Sequence, residues 1–394
     1  MILIRYFFDL LPLPPFIVPL IVTILLPLFL YWVYRIPGVP SLLRILIAIL
    51  AFVCSLADWA LFAFLPRLGL SYGPVESSWL TFTFFRLLFY LIPAVIFKLI
   101  AWKKGCVRAE NVAVVIGILW VINLASLPYG YRSMYIEPFN LQVNTIPINV
   151  PDISSDRPLQ IVHLSDLHIE RITKRERDLI VKVNALQPDL ILLTGDYINI
   201  DYKADPEAQE ATRQVLSQLR APLGVFAVSG SDVVDEPEVV ESILPTLENI
   251  SLLENETVRL DWQGIPIIIV GMNVDHQNSL AETLRRLLEQ TPTDEYTILL
   301  YHEPSPEMID AASEAGIDLY LAGHTHGGQL RLPWIGAPMV LHPNYFPEND
   351  RGLYQIGPTT LYVSSGVGME GLAMPRFRLN VPPEIVFLQL GAMQ

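Results

Sequence analysis

Six residues in this chain of 394 could together do metal chemistry: Asp166, His168, Asp196, His302, His324 and His326. Carboxylates and imidazoles are donors that suit Zn, Fe or Mn. A carboxylate shared between two ions, with imidazoles around it, can hold them ~3.5–4 Å apart, close enough to clamp both oxygens of an in-line phosphoryl displacement. An Asp-x-His, a Gly-Asp or a His-x-His is common by itself. What distinguishes these fragments is their order, their spacing and their shared position just past strand-like segments.

Those segments follow one rhythm. Leu159–Leu164 reads as a buried strand that ends in Ser165-Asp166-Leu167-His168. Lys174–Leu186 reads as a helix, and Leu190–Leu193 as a strand running into Thr194-Gly195-Asp196. Helices are expected over Pro206–Leu219, Glu236–Leu247 and Leu280–Leu288, with strands at Val225–Val228 and Tyr296–Leu300, the latter leading into His302. A later strand delivers Gly323-His324-Thr325-His326-Gly327-Gly328. Alternating strands and amphipathic helices imply an α/β sheet packed on both faces by helices.

Over roughly residues 157–392 the constellation resembles the calcineurin-like metallophosphoesterases, and within them a membrane-anchored bacterial branch. The carriers are Ser165-Asp166-Leu167-His168, Gly323 through Gln329, Arg351-Gly352-Leu353-Tyr354, Ser364-Ser365-Gly366-Val367-Gly368 and Pro383-Glu384-Ile385. The resemblance implies an α/β domain built as a β-sheet sandwich flanked by helices. It also implies two divalent ions (Mn, Fe or Zn) as cofactors. Asp166, His168 and His326 would bind the first, His302 and His324 the second, and Asp196 would bridge them as the central catalytic carboxylate. A hydroxide shared between the ions would attack the phosphorus of a phosphoester, a diester in this reading and one linked to lipid or envelope.

The pattern breaks at one place. The family carries Gly-Asn-His there, its Asn ligating the second ion and its His protonating the leaving group; this chain has Gly230-Ser231-Asp232. A serine hydroxyl is a poorer ligand than an amide oxygen, so the second ion should bind more weakly. Asp232 could turn inward as a further ligand, but an aspartate is deprotonated at neutral pH and serves badly as a general acid. Losing a positioned acid costs ~10²–10⁴-fold, least for leaving groups that need no proton. The same break motivates a second reading, a degenerate site that binds metal or a phosphorylated ligand without turnover, as a membrane-tethered receptor or scaffold. Arg351 is a candidate for holding a phosphate oxygen, with a solvated turn residue as the alternative. His163, His276 and His342 match no motif position and read as ordinary strand or loop histidines.

Composition divides the chain sharply. Residues 1–150 carry a net charge of +5 and the remainder −19. The acidic part lacks the clustered Lys and Arg that nucleic acid or an anionic lipid surface would require, so neither partner is expected to dock there. Four apolar runs near the spanning length of ~20 residues precede position 130, near Leu10–Tyr34, Ile45–Leu65, Trp79–Trp102 and Asn111–Tyr129. They predict a transmembrane region over 1–130, with the lipid bilayer as partner, and a catalytic domain over 131–394. Asp58 and Arg86 would reach the same depth in an antiparallel hairpin and pair there. Arg35, Arg44, Lys103, Lys104 and Arg108 crowd the odd-numbered loops, which places those loops in the cytoplasm and the catalytic domain outside the cell membrane. The two cysteines, Cys54 and Cys106, are poorly placed for a mutual disulfide.

Overall fold

The computed structural model describes residues 17–64, 75–150, 157–273, 279–289, 291–292, 295–338, 350–370 and 376–392. They form two compact units, divided after Arg132, with Arg376 grouped with the first unit.

Among its described residues the N-terminal unit holds four α-helices: α1 (Ile17–Val33), α2 (Ser41–Phe64), α3 (Val75–Lys104) and α4 (Ala109–Tyr131). They coincide with the four apolar runs; residues 10–16 of the first run lie outside the described residues. By length and composition one stretch among the described residues, Ser41–Ala60, is long and apolar enough to cross a membrane, and Ile17–Val33 and Ala109–Ile122 are shorter apolar helices. Leu30, Ile47, Ala94 and Val112 pack into one core. The expected ion pair is present: the Arg86 guanidinium donates Nη2–H to Asp58 Oδ1 at 2.9 Å, with Nε 2.8 Å from Oδ2. Two parallel contacts of this kind fix both side chains as well as joining their helices. Cys54 and Cys106 are both free thiols.

The second unit holds two six-stranded sheets. Strands β1 (Gln142–Asn149), β2 (Leu159–Leu164), β3 (Leu190–Leu193), β4 (Val225–Ala227), β5 (Ser251–Leu252) and β12 (Glu384–Gly391) form the first, in the order β1-β12-β2-β3-β4-β5. The second runs β10-β11-β9-β8-β7-β6, from β6 (Glu256–Trp262), β7 (Ile265–Gly271), β8 (Tyr296–Leu300), β9 (Leu319–Ala322), β10 (Gly352–Ile356) and β11 (Thr359–Val363). Side chains alternate across each strand. Leu159 and Ile161 therefore face the central layer with Ile267, Ile298 and Leu321 of the other sheet, while Val162 and Leu164 face an outer core. That outer core contains Leu179 and Val183 of α5 (Lys174–Leu186) and Val215 of α6 (Pro206–Leu216), with α7 (Pro237–Ile243) beside them. On the far side α8 (Leu280–Leu288) and α9 (Pro306–Ala315) cover the second sheet through Leu284, Met308 and Ala312.

Each sheet thus has helices on one face and the other sheet on its second face. This corrects the single sheet with helices on both faces that the rhythm implied, and it matches the sandwich that the resemblance implied. Buried continuous apolar strands look alike in both arrangements, because either partner buries the second face. Several elements carry local stop signals that place their ends. Thr173 and Glu176 form a reciprocal N-terminal cap on α5, and Gly316 closes α9 in the left-handed region.

Candidate metal centre

The parallel strands β2, β3, β4, β8 and β9 all point their C-terminal ends to one edge of the sandwich, and every expected ligand sits in the loop that follows. Both sheets contribute. Asp166 and His168 follow β2 and Asp196 follows β3 in one sheet; His302 follows β8 and His324 and His326 follow β9 in the other.

The loops are laced together by backbone. Asp166 N–H donates to Gly195 O, His168 N–H to Asp196 O and Gly323 N–H to His302 O, at 2.9–3.0 Å. Glycines permit the close approach: a Cβ on Gly230 would lie 2.1 Å from Asp196 Oδ1, and one on Gly323 would lie 2.3 Å from Asp166 Oδ2. Five of the six ligand candidates have left-handed backbones, with φ of 51° at Asp166, 39° at His168, 56° at Asp196, 67° at His324 and 50° at His326. Such conformations cost about 1 kcal/mol or more each in a non-glycine residue and persist where surrounding structure over-determines them.

Two triads result. Asp166, His168 and His326 form the first, and Asp196, His302 and His324 the second; within each, one donor atom per residue lies within 4.8 Å of the others. Asp196 sits between them. Its Oδ2 is 3.5 Å from His168 Nε2 and 3.3 Å from His302 Nε2. Across the first triad His326 Nε2 lies 3.4 Å from Asp166 Oδ1 and 3.1 Å from His168 Nε2. In the second, His324 Nδ1 is 3.2 Å from His302 Nε2. All six are buried except the partly exposed His324, which leaves one open side.

The imidazole nitrogens that face away each lie close to a polar group. His302 Nδ1 lies 2.5 Å from Thr194 O, His168 Nδ1 lies 3.2 Å from Glu370 Oε2, and His326 Nδ1 lies 3.4 Å from Arg378 Nη2. Such outer partners set the tautomer and ring orientation of a ligating histidine. Arg378 is itself buried, and its guanidinium donates to the carbonyls of Ser365, Gly366 and Gly368, tying the segment before Glu370 to the first triad.

The electrostatics favour positive charge at the centre. Burial works against a charge on His302, but Asp196 and then Asp166 outweigh it and raise the imidazole to about 10. Burial likewise opposes the Asp196 carboxylate, and His302 and His168 reverse this, holding it far below the usual range. His326 and His324 are pushed down, first by burial and then by neighbouring histidines. The lowered imidazoles of His324 and His326 are neutral donors, whereas a cation bound at His302 would displace the proton it shares with Asp196, because a ligating imidazole must be neutral.

Ser231 is buried, with Oγ 2.9 and 3.0 Å from the two Asp196 oxygens and 3.4 Å from His302 Nε2. Asp232 is exposed and stands outside both triads. The carboxylate that turns inward in this loop is Asp235, which accepts N–H groups from Asp196 (2.7 Å), Tyr197 (3.1 Å) and Gly230 (2.8 Å). Burial, then the neighbouring Asp196 charge, push it up to about 7 against the Gly230 and Tyr197 donors and His302. It clamps the turn that presents Asp196 to the turn that presents Ser231. Arg351 is exposed beside the His326 loop, where its Cδ would lie 2.8 Å from a Cβ on Gly327. His163 is a buried strand residue bonded to Thr194 Oγ1 at 2.8 Å; His276 and His342 lie outside the described residues. Sequence reasoning passed over Asp235, Glu370 and Arg378. Glu370 lies two residues past the Gly368 that closes a motif, the one nearby signal for it.

The calcineurin-like phosphoesterase family model matches residues 159–328. The chain is 31% identical over 275 residues to the uncharacterized metallophosphoesterase YkuE of Bacillus subtilis (strain 168), covering 66% of this chain and 89% of that one. It is 30% identical to a Bos taurus transmembrane protein with metallophosphoesterase domain, covering 75% and 68%. It is also 30% identical to the phosphodiesterase YaeI of Escherichia coli (strain K12), covering 59% and 82%.

Proposed function

Because this chain belongs to the calcineurin-like phosphoesterase family, we propose that its second unit, which begins at Ser133 rather than at the expected 131, is a two-metal phosphodiesterase carried on a membrane-spanning N-terminal region. The observation that supports this most is the convergence of two ligand triads on Asp196 from loops of both sheets. Asp166, His168 and His326 would hold one divalent ion (Mn, Fe or Zn) and His302 and His324 the other, with Asp196 shared and Ser231 at the second. Bound cations supply Lewis acidity and lower the pKa of water at the site.

The remaining work falls to the chain itself. Asp235 and Glu370 hold Asp196 and His168 in place, so little reorganisation is needed when charge develops. The open side at His324 admits the phosphoryl group, and Arg351, exposed beside the His326 loop, is positioned to meet one of its oxygens. The acid position holds Asp232, exposed, where the family carries histidine. That favours diesters whose leaving groups depart unprotonated. Four apolar helices, one of them long and apolar enough to cross a bilayer, favour a substrate linked to lipid or envelope. The excess of Lys and Arg in the odd-numbered loops favours an extracytoplasmic site in the cell membrane.

Ser231 and the exposed Asp232 support one competing reading, a receptor or scaffold that binds a phosphorylated ligand without turnover. One experiment separates the two. The full-length chain in detergent is stripped of metal, given Mn or Zn, and assayed on an activated aryl phosphodiester beside Asp196→Asn. Metal-dependent turnover that disappears in Asp196→Asn supports the enzyme. An inert wild type that gains turnover with Ser231→Asn and Asp232→His together supports the binding protein.

A further inference from the structure

Large apolar side chains in the second unit are well buried, with a concentrated exception. Seven such residues are exposed among its described residues, and three of them fall on a single five-residue turn: Leu332 (37% exposed), Trp334 (102%) and Ile335 (71%). The turn is closed at its neck by paired backbone bonds, Leu332 N–H to Gly336 O at 2.8 Å and Gly336 N–H to Leu332 O at 3.0 Å. Trp334 sits at φ 65°, an unfavourable value for a tryptophan, and Gly336 at 82°. A closed turn thus holds Pro333, Trp334 and Ile335 outward.

The root of this finger is fastened to the metal centre. Arg331 N–H donates to Leu379 O at 2.9 Å, Asn380 donates to Arg331 O at 2.8 Å, and Arg331 pairs with Asp350. Gln329 donates to Glu370 O at 2.7 Å, and Glu370 backs His168. The finger therefore starts six residues past His326, on a root that begins at Gln329 and is tied to the frame of the site.

We propose that the Leu332–Gly336 finger inserts Trp334 and Ile335 into the interfacial layer of a lipid bilayer and so brings the metal centre against phosphoester headgroups. This rests on the phosphodiesterase reading for its consequence, though not for the insertion itself. Three observations choose the occupant. Tryptophan concentrates at membrane interfaces, where its amphipathic ring is at home. The exposed apolar area is on the order of 400 Å², taking a full tryptophan as ~250 Å², and a standard protein interface needs ~800 Å² per partner. Residues 151–394 carry a net charge of −19, so electrostatic attraction to an anionic surface is absent, whereas an uncharged finger enters lipid without it. The same chain also holds Ser41–Ala60, long and apolar enough to cross a bilayer, which keeps the local lipid concentration high.

The test uses the full-length chain in phosphatidylcholine nanodiscs, with or without bromine on the acyl chains. Subtracting the fluorescence of Trp334→Phe from that of the wild type isolates Trp334 among the seven tryptophans. Insertion predicts a difference spectrum that brominated lipid quenches and aqueous iodide does not. A difference spectrum quenched by iodide and indifferent to bromine overturns the proposal. So does one shielded only on raising protein concentration in detergent, which would assign the finger to a second copy of the chain. In parallel, the Trp334→Ser, Ile335→Ser double variant should lose about tenfold on a phosphodiester lipid embedded in the nanodisc and retain wild-type rates on a soluble aryl phosphodiester. Equal loss on both substrates would make the finger a structural element and overturn the proposal. Bromine quenching with no turnover of either ester by the wild type would leave the insertion standing and remove the phosphodiesterase reading alone.

Discussion

Replacing Glu370 by Gln and by Ala asks how much metal affinity comes from outside the ligand set. In the wild type Glu370 Oε2 lies 3.2 Å from His168 Nδ1, and both side chains are buried. With Nε2 turned to the first triad, a proton on Nδ1 would face the Glu370 carboxylate, and that charge would raise the basicity of the nitrogen turned to the triad. Changes to such outer partners cost ~10–100-fold in metal affinity, which is about 1.4–2.7 kcal/mol. Gln keeps an acceptor and loses only the charge; Ala loses both and leaves a buried N–H facing a void. Ala should therefore stand near the upper figure and Gln near the lower. At saturating metal the stabilisation lost on unfolding equals the affinity lost. For a unit of this size that is a fall in Tm of roughly 3–10 °C. Competitive titration with a chromophoric chelator gives the affinity, and thermal unfolding with metal and with chelator gives the stability. A Tm drop of the same size in chelator and in metal, with unchanged affinity, would refute the reasoning and leave Glu370 as a packing residue.

Further expectations concern the same centre. Gly230→Ala places a Cβ 2.1 Å from Asp196 Oδ1 and 2.3 Å from its backbone nitrogen; a displacement near 1 Å at the shared carboxylate should reduce turnover ~10²-fold, measured as kcat at saturating Mn. Ser231→Asn supplies an amide oxygen beside Asp196 and His302, and should tighten the weaker of two metal-binding steps severalfold in calorimetry while leaving the tighter one in place. Asp232→His should raise kcat for alkyl diesters more than for activated aryl diesters, and an equal gain on both would count against the vacant acid position. His163 is held down at about 3, by burial first and His302 second. The unfolded state therefore takes up a proton near pH 6.5 that the folded state refuses, and stability is lost as pH falls below that value. His163→Gln should remove about 1.4 kcal/mol per pH unit of that loss between pH 6 and 4, read as the difference between two denaturant titration series on metal-free protein.

The local elements were legible because their signals are local. Lys174–Leu186, Leu190–Leu193, Leu280–Leu288 and Tyr296–Leu300 occur with the expected ends, since caps, glycines and prolines bound them. The helix expected over Pro206–Leu219 stops at Leu216, and that over Glu236–Leu247 shortens to Pro237–Ile243 with a single tight turn after it. Sheet order was not legible. The last strand, β12, lies between the first two, parallel to β1 and antiparallel to β2, a pairing across more than two hundred residues that no neighbouring residue announces. The triads were readable because the fragments occur in a fixed order and each follows a strand. Asp235 was not, since counting from Gly230 places the chemistry at the next two residues, whereas the loop buries the fifth. Its function comes from three backbone N–H groups, and main-chain donors have no letter in a sequence.

The left-handed backbone at five of the six ligand positions bears on how mutational data from this centre should be designed. At Asp166, His168, Asp196, His324 and His326 an alanine would remove a ligand and at the same time place an unsuited residue in a conformation that Asn and Gly tolerate better. An alanine scan would mix those two losses and inflate the apparent worth of every ligand but His302, whose backbone lies outside that region. Asparagine at the aspartates, and paired glycine and asparagine at the histidines, keep the main chain at ease and change only the donor. Measured that way, the carboxylate proposed to bridge and the imidazoles proposed as terminal ligands can be ranked on a common scale, with His302→Ala as the one direct reference.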